Sequence, residues 1–393
     1  MKHSGLLGID WYINQLRYKI NSADSLNVIF TPEEIQGDKR AYLSFQADNN
    51  INQSYYNDID TALQVFRSAK YEDNFPVRKF SVKVDKDLVR KNGTVNPGDS
   101  VLDVLNFEIP TNKNYIYRSD LAILAIIATT DWKRPIYFTS PFGELGFGQY
   151  LRKDGMSYRL VPVELKQPQA NWVTDQALRQ MRMGGTSIRD NNTDTMFNNL
   201  MTKYEFGGAN KKGVYFDEEN RRHILNLRAL YAEAAGNLAD LGRKEDAVKL
   251  IDKVEKGIDP ANLPYGMASR YNGHNQTGMV YLEACYKAGK ADLAEKIRVG
   301  IRKDLEQQQA YYISINGGTK PTMTQAGVSV DEPMFKSLTT EYQINELMIE
   351  VLNAVEAKYA PQTQVKPNTE GPKTITNKPN PDSLIGKDTG KQE

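Results

Sequence analysis

The residues best suited to bind a ligand lie in two short clusters. In Asp131-Trp132-Lys133-Arg134-Pro135, an indole stands between a carboxylate and a guanidinium. Such a trio can hold a sugar: the indole stacks on its apolar face and the charged groups take its hydroxyls. Asp10-Trp11-Tyr12 has a similar makeup. The candidate binding residues are therefore Asp10, Trp11, Tyr12, Asp131, Trp132 and Arg134. The competing reading has both tryptophans packed in or over a core, with Asp131 at a helix end or turn. It has the greater weight, because aromatic residues are more often core than platform. Gly143-Glu144-Leu145-Gly146-Phe147-Gly148 could bring backbone amides close to an anion. A flexible connector is the favoured reading of so common a glycine pattern.

No catalytic residue can be named. There is no Gly-x-Ser-x-Gly elbow, no His-Glu-x-x-His helix and no phosphate loop ending in Gly-Lys-Ser/Thr. The histidines are His3, His223 and His274, and none has a second His or Cys at metal-ligand spacing. His223 reads as a surface or capping residue near a helix start. The single cysteine, Cys285, cannot make an internal disulfide or a thiolate cluster. No metal and no cofactor are expected. Four sequons, Asn92-Gly93-Thr94 among them, occur at a rate expected by chance.

The elements that must position these residues fall into two parts. In the first, residues 1–165, Ile9, Ile13, Leu16 and Ile20 recur at helical spacing, so Asp10 to Lys19 reads as an amphipathic helix. Thr31-Pro32-Glu33-Glu34 is a helix-start signal. Ile59, Leu63, Phe66 and Ala69 mark another helix, and Phe80 to Val84 alternates as a half-buried strand does. Ser119 is placed to cap a helix whose apolar run through Ala128 is buried on most sides. Pro135 forbids helix, and Ile136 to Thr139 and Tyr158 to Val163 read as strands. An α+β or α/β domain is expected, with that helix packed on a sheet.

The second part, residues 171–358, shows almost no strand signal. Leu227, Tyr231, Ala234, Leu238 and Leu241 share one helical face, as do Ala247, Leu250, Ile251, Val254 and Ile258. Leu293, Ala294, Ile297, Ile301 and Leu305 mark a further helix, and Ile344, Leu347, Val351 and Val355 a last one. Gly242 and Gly289 each precede a helix alanine, Ala247 and Ala294, by the same interval. That interval matches the turn and second helix of a tetratricopeptide repeat. Tyr265 to Gly278 reads as an insertion between the two copies. An all-α, tetratricopeptide-like array of helical hairpins is expected, an ordinary helical bundle being the alternative. Residues 361–393 are rich in Pro, Lys, Asn and Thr without an aromatic residue, so a disordered tail is expected.

Composition sets outer bounds. Lys plus Arg is 50 against 49 for Asp plus Glu, which argues against a basic field for nucleic acid. The longest apolar run, Leu121 to Ala128, is far short of the roughly 20 residues that span a bilayer. The first residues lack the apolar core of a signal peptide.

Two blocks carry a resemblance. Leu6-Leu7-Gly8-Ile9-Asp10-Trp11-Tyr12-Ile13-Asn14-Gln15-Leu16 is the first. Ser119-Asp120-Leu121, then Trp132-Lys133-Arg134-Pro135-Ile136-Tyr137-Phe138, then Tyr158-Arg159-Leu160-Val161-Pro162 is the second. Together they resemble the soluble C-terminal half of a family of bacterial integral membrane proteins, long a domain of unknown function. That family is similar to the protein O-mannosyltransferase group of lipid-sugar-dependent glycosyltransferases. The resemblance covers mainly residues 6–165 and implies catalytic acids on a multi-span half that this chain does not contain. No catalytic residue transfers to this sequence, and a fragment or a split gene product is expected. The chain is then expected to be no enzyme by itself. It would be an extracytoplasmic (periplasmic) accessory domain that partners a membrane-embedded segment of the same protein or complex, and acceptor protein or glycan. A stand-alone helical scaffold, or a glycan-active enzyme with an unrecognised carboxylate pair, are the alternatives; a glycosidase would need two carboxylates flanking one cleft.

Overall fold

The computed structural model describes residues 42–45, 51, 53–64, 74–140, 143–165, 172–180, 192–321 and 333–359, with Trp11, Gln15 and Tyr18. The expected tail, the Thr31-Pro32 helix start and most of the Asp10 to Lys19 helix lie outside the described residues. Described residues up to Tyr359 belong to one compact unit. It contains two hydrophobic clusters, one spanning Ile59 to Val163 and the other Trp172 to Val355.

The first cluster is built on three small three-stranded sheets. Strands β1 (Tyr42–Phe45), β2 (Asn57–Asp58), β3 (Asn74–Phe75), β4 (Lys79–Lys83), β5 (Val104–Glu108) and β6 (Tyr115–Tyr117) form two of them, ordered β3-β1-β6 and β2-β4-β5. Strands β7 (Tyr137–Phe138), β8 (Leu151–Lys153) and β9 (Tyr158–Leu160) form the third, antiparallel in the order β7-β9-β8. The architecture is thus α+β, with three separate small sheets in place of one α/β layer. The alternation at Phe80 and Val82 buries those side chains, as expected of β4. An aromatic file runs Phe75–Phe80–Phe107–Phe147, with ring centroids 6.0, 5.4 and 5.6 Å apart.

Helix α1 (Ile59–Gln64) and α2 (Lys86–Lys91) flank these sheets, and α3 (Arg118–Thr129) is the central helix. Leu121 to Ala125 are all buried on α3. Its start corrects the sequence reading: the N-cap is Tyr117, and Ser119 lies inside the first turn. The capping acid is Asp120, whose carboxylate accepts the Tyr117 backbone N–H at 3.0 Å and pairs with Lys113 at 3.0 Å. The glycine loop is also not a loose connector. Leu145 and Phe147 are fully buried, and Gly146, at φ +86°, packs where a Cβ would collide with the Glu108 carbonyl.

The second cluster is helical, with α4 (Val173–Gln180), α5 (Thr193–Thr202), α6 (Glu218–Asp240), α7 (Lys244–Gly257), α8 (Gly273–Lys287), α9 (Ala291–Ile315) and α10 (Pro333–Tyr359). The two look-alike segments close α6–α7 and α8–α9 with the same turn. Gly242 and Gly289 sit at φ +78° and +80°. Arg243 N–H reaches Leu238 O and Lys290 N–H reaches Cys285 O, both at 2.9 Å, which caps the preceding helix in each hairpin. Ala247 and Ala294 are fully buried on α7 and α9. Ala247→Leu should therefore destabilise the chain by about 1–3 kcal/mol in urea unfolding, the usual cost of overpacking. A neutral result would show that the α6–α7 packing tolerates a larger side chain.

Tyr265 to Gly278 is not simply an insertion, because Gly273 to Gly278 already belong to α8. The preceding loop is pinned from below. Arg228 donates to Leu263 O at 2.7 Å and Pro264 O at 2.9 Å, with its guanidinium near the Tyr265 and Tyr281 rings. His274 Nε2 lies 2.7 Å from the same Pro264 oxygen. A carbonyl only accepts, so the ring carries its hydrogen on Nε2.

Burial pushes the His274 pKa down to about 4 from 6.5. The unfolded chain therefore binds the extra proton between pH 6.5 and 4, and stability rises with pH across that window. Unfolding free energy should fall by about 1.4 kcal/mol per unit as pH drops through it, about 3 kcal/mol in all. In His274→Gln this component of the pH slope should vanish; an unchanged slope would assign the loss to other groups.

Candidate functional site

The α3–β7 connection sets the geometry of the first cluster of candidates. Asp131 and Trp132 both adopt left-handed backbone, at φ +47° and +56°, which non-glycine residues rarely do. What holds them there is Trp132. Its indole is buried at 8% exposure, its Nε1–H donates to Lys83 O at 2.7 Å, and its own carbonyl accepts Asn92 Nδ2 at 2.6 Å. The tryptophan is thus the anchor of the turn. Its neighbours Asp131, Lys133 and Arg134 are exposed. Asp131 pairs with Lys133 at 3.1 Å. Asp131 also approaches the start of α1, where burial, then Asp58 and Asp131, raise the Asp60 pKa. Of the second cluster, Asp10 and Tyr12 lie outside the described residues, and Trp11 is exposed.

The Asn92 loop ties this turn to the third sheet. Asn92 Oδ1 accepts from Thr94 N at 3.0 Å and Thr94 Oγ1 at 2.7 Å, so both ends of the side-chain amide are engaged. Arg159 on β9 donates to Gly93 O, and to Thr94 O at 3.4 Å. It also pairs with Asp154, whose Oδ2 accepts the Tyr137 hydroxyl at 3.4 Å. Tyr137, Arg159 and Arg152 sit opposite one another across β7, β9 and β8, so their side chains share one face.

Arg152 grips Asp99 with both terminal nitrogens, at 2.7 and 3.0 Å. Burial raises the Asp99 pKa, but the Arg152 hydrogen bond and the Asn96 backbone outweigh it, and the carboxyl ends below its usual value. Burial holds the Tyr137 phenol above its usual value. Next along β8, Lys153 pairs with Glu233 on α6, which joins the sheet to the helical part.

The ligand reading has Asp131, Trp132 and Arg134 act together, whereas the weightier reading packs Trp132 in the core with Asp131 at a turn; the structure buries Trp132 and leaves Asp131 and Arg134 exposed. Neither reading singles out Tyr137, Asp154 or Arg159. A signal existed, because Tyr137 and Arg159 stand inside the second resemblance block, but no local spacing links them to Asp154 through a shared face. Among the described residues no group of His, Cys, Asp and Glu is arranged to hold a metal ion, and no helix is long and apolar enough to cross a membrane.

Neither a curated protein nor a solved structure matches this chain. One family does: residues 2–178, from the first described residues through the strained turn and the third sheet into α4, match TMEM260-associated domain 2.

Proposed function

We propose that this chain is an extracytoplasmic accessory region of a glycosyltransferase-like membrane protein. It acts on the periplasmic face of a bacterial membrane, attached through a membrane-embedded segment, and binds acceptor protein, glycan or partner subunits without catalysing transfer itself. The family match supports the association with such a protein. The observation that carries a binding role is the α3–β7 turn: a buried Trp132 fixes two left-handed residues and turns Asp131 and Arg134 outward. Strained backbone held by its surroundings concentrates at binding and catalytic sites. The helical hairpins supply an extended second surface for docking.

The test is direct. The purified chain is incubated with lipid-linked and nucleotide-linked sugar donors, and no sugar should be released or transferred. Turnover by the chain alone would sink the accessory reading. In parallel, Asp131→Ala with Arg134→Ala should weaken capture of an immobilised acceptor glycoprotein at least tenfold, about 1.4 kcal/mol, at an unchanged melting temperature.

A further inference from the structure

The two hydrophobic clusters meet through polar groups. Among the described residues they share no side chain: the first ends at Val163 and the second begins at Trp172. Hydrogen bonds between them gather at one small region of the first, the β8–β9 hairpin and the loop at Asn96. Asn96 and Asn192 exchange amide hydrogen bonds at 3.3 and 3.1 Å. Asn192, the N-cap of α5, also donates its backbone N–H to Lys153 O at 3.0 Å. The Tyr204 hydroxyl accepts Met156 N at 3.2 Å, and a Cβ on Gly155 would strike the same hydroxyl. Asp99 accepts Asn96 N at 2.6 Å and both Arg152 nitrogens, so the Asn96 loop and β8 form one piece. The charged member of the contact is the Lys153–Glu233 pair, with side chains 13% and 8% exposed.

We propose that the Lys153–Glu233 pair is a latch between two bodies, the α+β cluster and the helical hairpins. Without it they part at the β8–β9 hairpin and change their relative orientation, while each keeps its fold. Each body has its own apolar core, so neither relies on the other to bury its side chains. A small polar contact between domains resembles a transient protein–protein interface, for which relative motion is the ordinary behaviour. The ion pair opposes that motion. An ammonium and a carboxylate held out of water depend on one another, and removing one leaves the other buried at the cost of its desolvation. Parting the bodies returns that charge to water. The neutral Asn96–Asn192 and Tyr204 contacts resist only weakly, because water replaces their hydrogen bonds. Exchanging both charges for apolar groups of similar size removes the cause, and the seam then stays shut. This device goes beyond the accessory reading and needs no ligand. It lets the helical hairpins alter their orientation to the α3–β7 turn.

Spin labels on the full chain at Lys91→Cys on α2 and Glu306→Cys on α9, both exposed, report the distance between the bodies by pulsed electron resonance. Cys285 is fully buried and escapes the label. The labelled parent should give one distance population. Lys153→Ala should add a second population absent from the parent, with amide protection in β4–β5 and α7 unchanged. Lys153→Met with Glu233→Leu should restore the single parent distance. Asn96→Ala, which removes the amide pair and keeps the ion pair, should also leave one population. Four results overturn the proposal. Lys153→Ala may not keep the parent's single distance, nor lose protection in β4–β5 or α7. The double variant may not open like Lys153→Ala, and Asn96→Ala may not open as far with the ion pair intact. The first result would show that other contacts hold the bodies, and the second that they do not fold separately. The third would show that buried charge does not drive the opening, and the last that the amide pair is the latch.

Discussion

Glu283→Ala should cost about 3–5 kcal/mol in equilibrium unfolding, because several buried donors lose their acceptor at once. Glu283 is fully buried on α8. One carboxylate oxygen accepts Val173 N at 2.7 Å and the Tyr359 hydroxyl at 3.0 Å. The other accepts Thr174 N at 2.9 Å and Thr174 Oγ1 at 2.8 Å. One acid thereby anchors the start of α4 and the end of α10 against α8. Its charge also meets the positive end of α4, where first-turn N–H groups have no partner within the helix. Burial, then the Glu283 charge, hold the Tyr359 phenol well above its usual value. The seat around it is tight: Trp172 is buried where a Cβ on Gly236 would strike its ring, and Lys287 lies 4.1 Å from that ring. Glu283→Gln keeps the volume and one acceptor oxygen, so it should fall between the parent and the alanine variant. A loss in Glu283→Ala of under about 1 kcal/mol, within the range of a single ordinary hydrogen bond, would show that α4 is not held through this carboxylate.

Trp132→Ala should cost a similar amount, about 3–5 kcal/mol, the usual range for deleting a core aromatic. The indole fills the first hydrophobic cluster and satisfies Lys83 O at 2.7 Å. Trp132→Phe separates the two contributions. It retains most of the buried surface but orphans the Lys83 carbonyl, so about 1–3 kcal/mol should remain. Chemical denaturation of both variants measures the effect, and amide exchange at Lys133 and Arg134 reports whether the turn loosens. A variant as stable as the parent, with acceptor binding abolished, would make Trp132 a ligand platform in place of an anchor.

Much of the helical part was legible because its signals are local. Ala247, Leu250, Ile251 and Val254 fall on one side of a 3.6-residue period, and all are buried. Gly242 and Gly289 mark turns because left-handed backbone costs glycine little, and both adopt it. The Tyr265 to Gly278 segment was misjudged for a related reason. Glycine and asparagine suggest a loop, but Gly278 sits in α8 where a Cβ would meet the Tyr265 carbonyl, so close packing selected it.

By itself the sequence determined the helix that ends near Ala128 and the strands at Tyr137 and Tyr158, though not β8 between them, the α6–α7 and α8–α9 hairpins, and an aromatic-acid-arginine cluster at Asp131 to Arg134. These rest on periodicity, proline and glycine, which act within a few residues. Only the tertiary structure decided which groups meet. Trp132 turns inward because Lys83 O, 49 positions away, accepts its N–H. Glu283 caps a helix 109 positions upstream. Tyr137, Asp154 and Arg159 share a face because strand register aligns Tyr137 with Arg159, and register is set by which side chains the sheet must bury. Such pairings leave no spacing in the chain to read, since their partners come from separate elements and are chosen by the core between them.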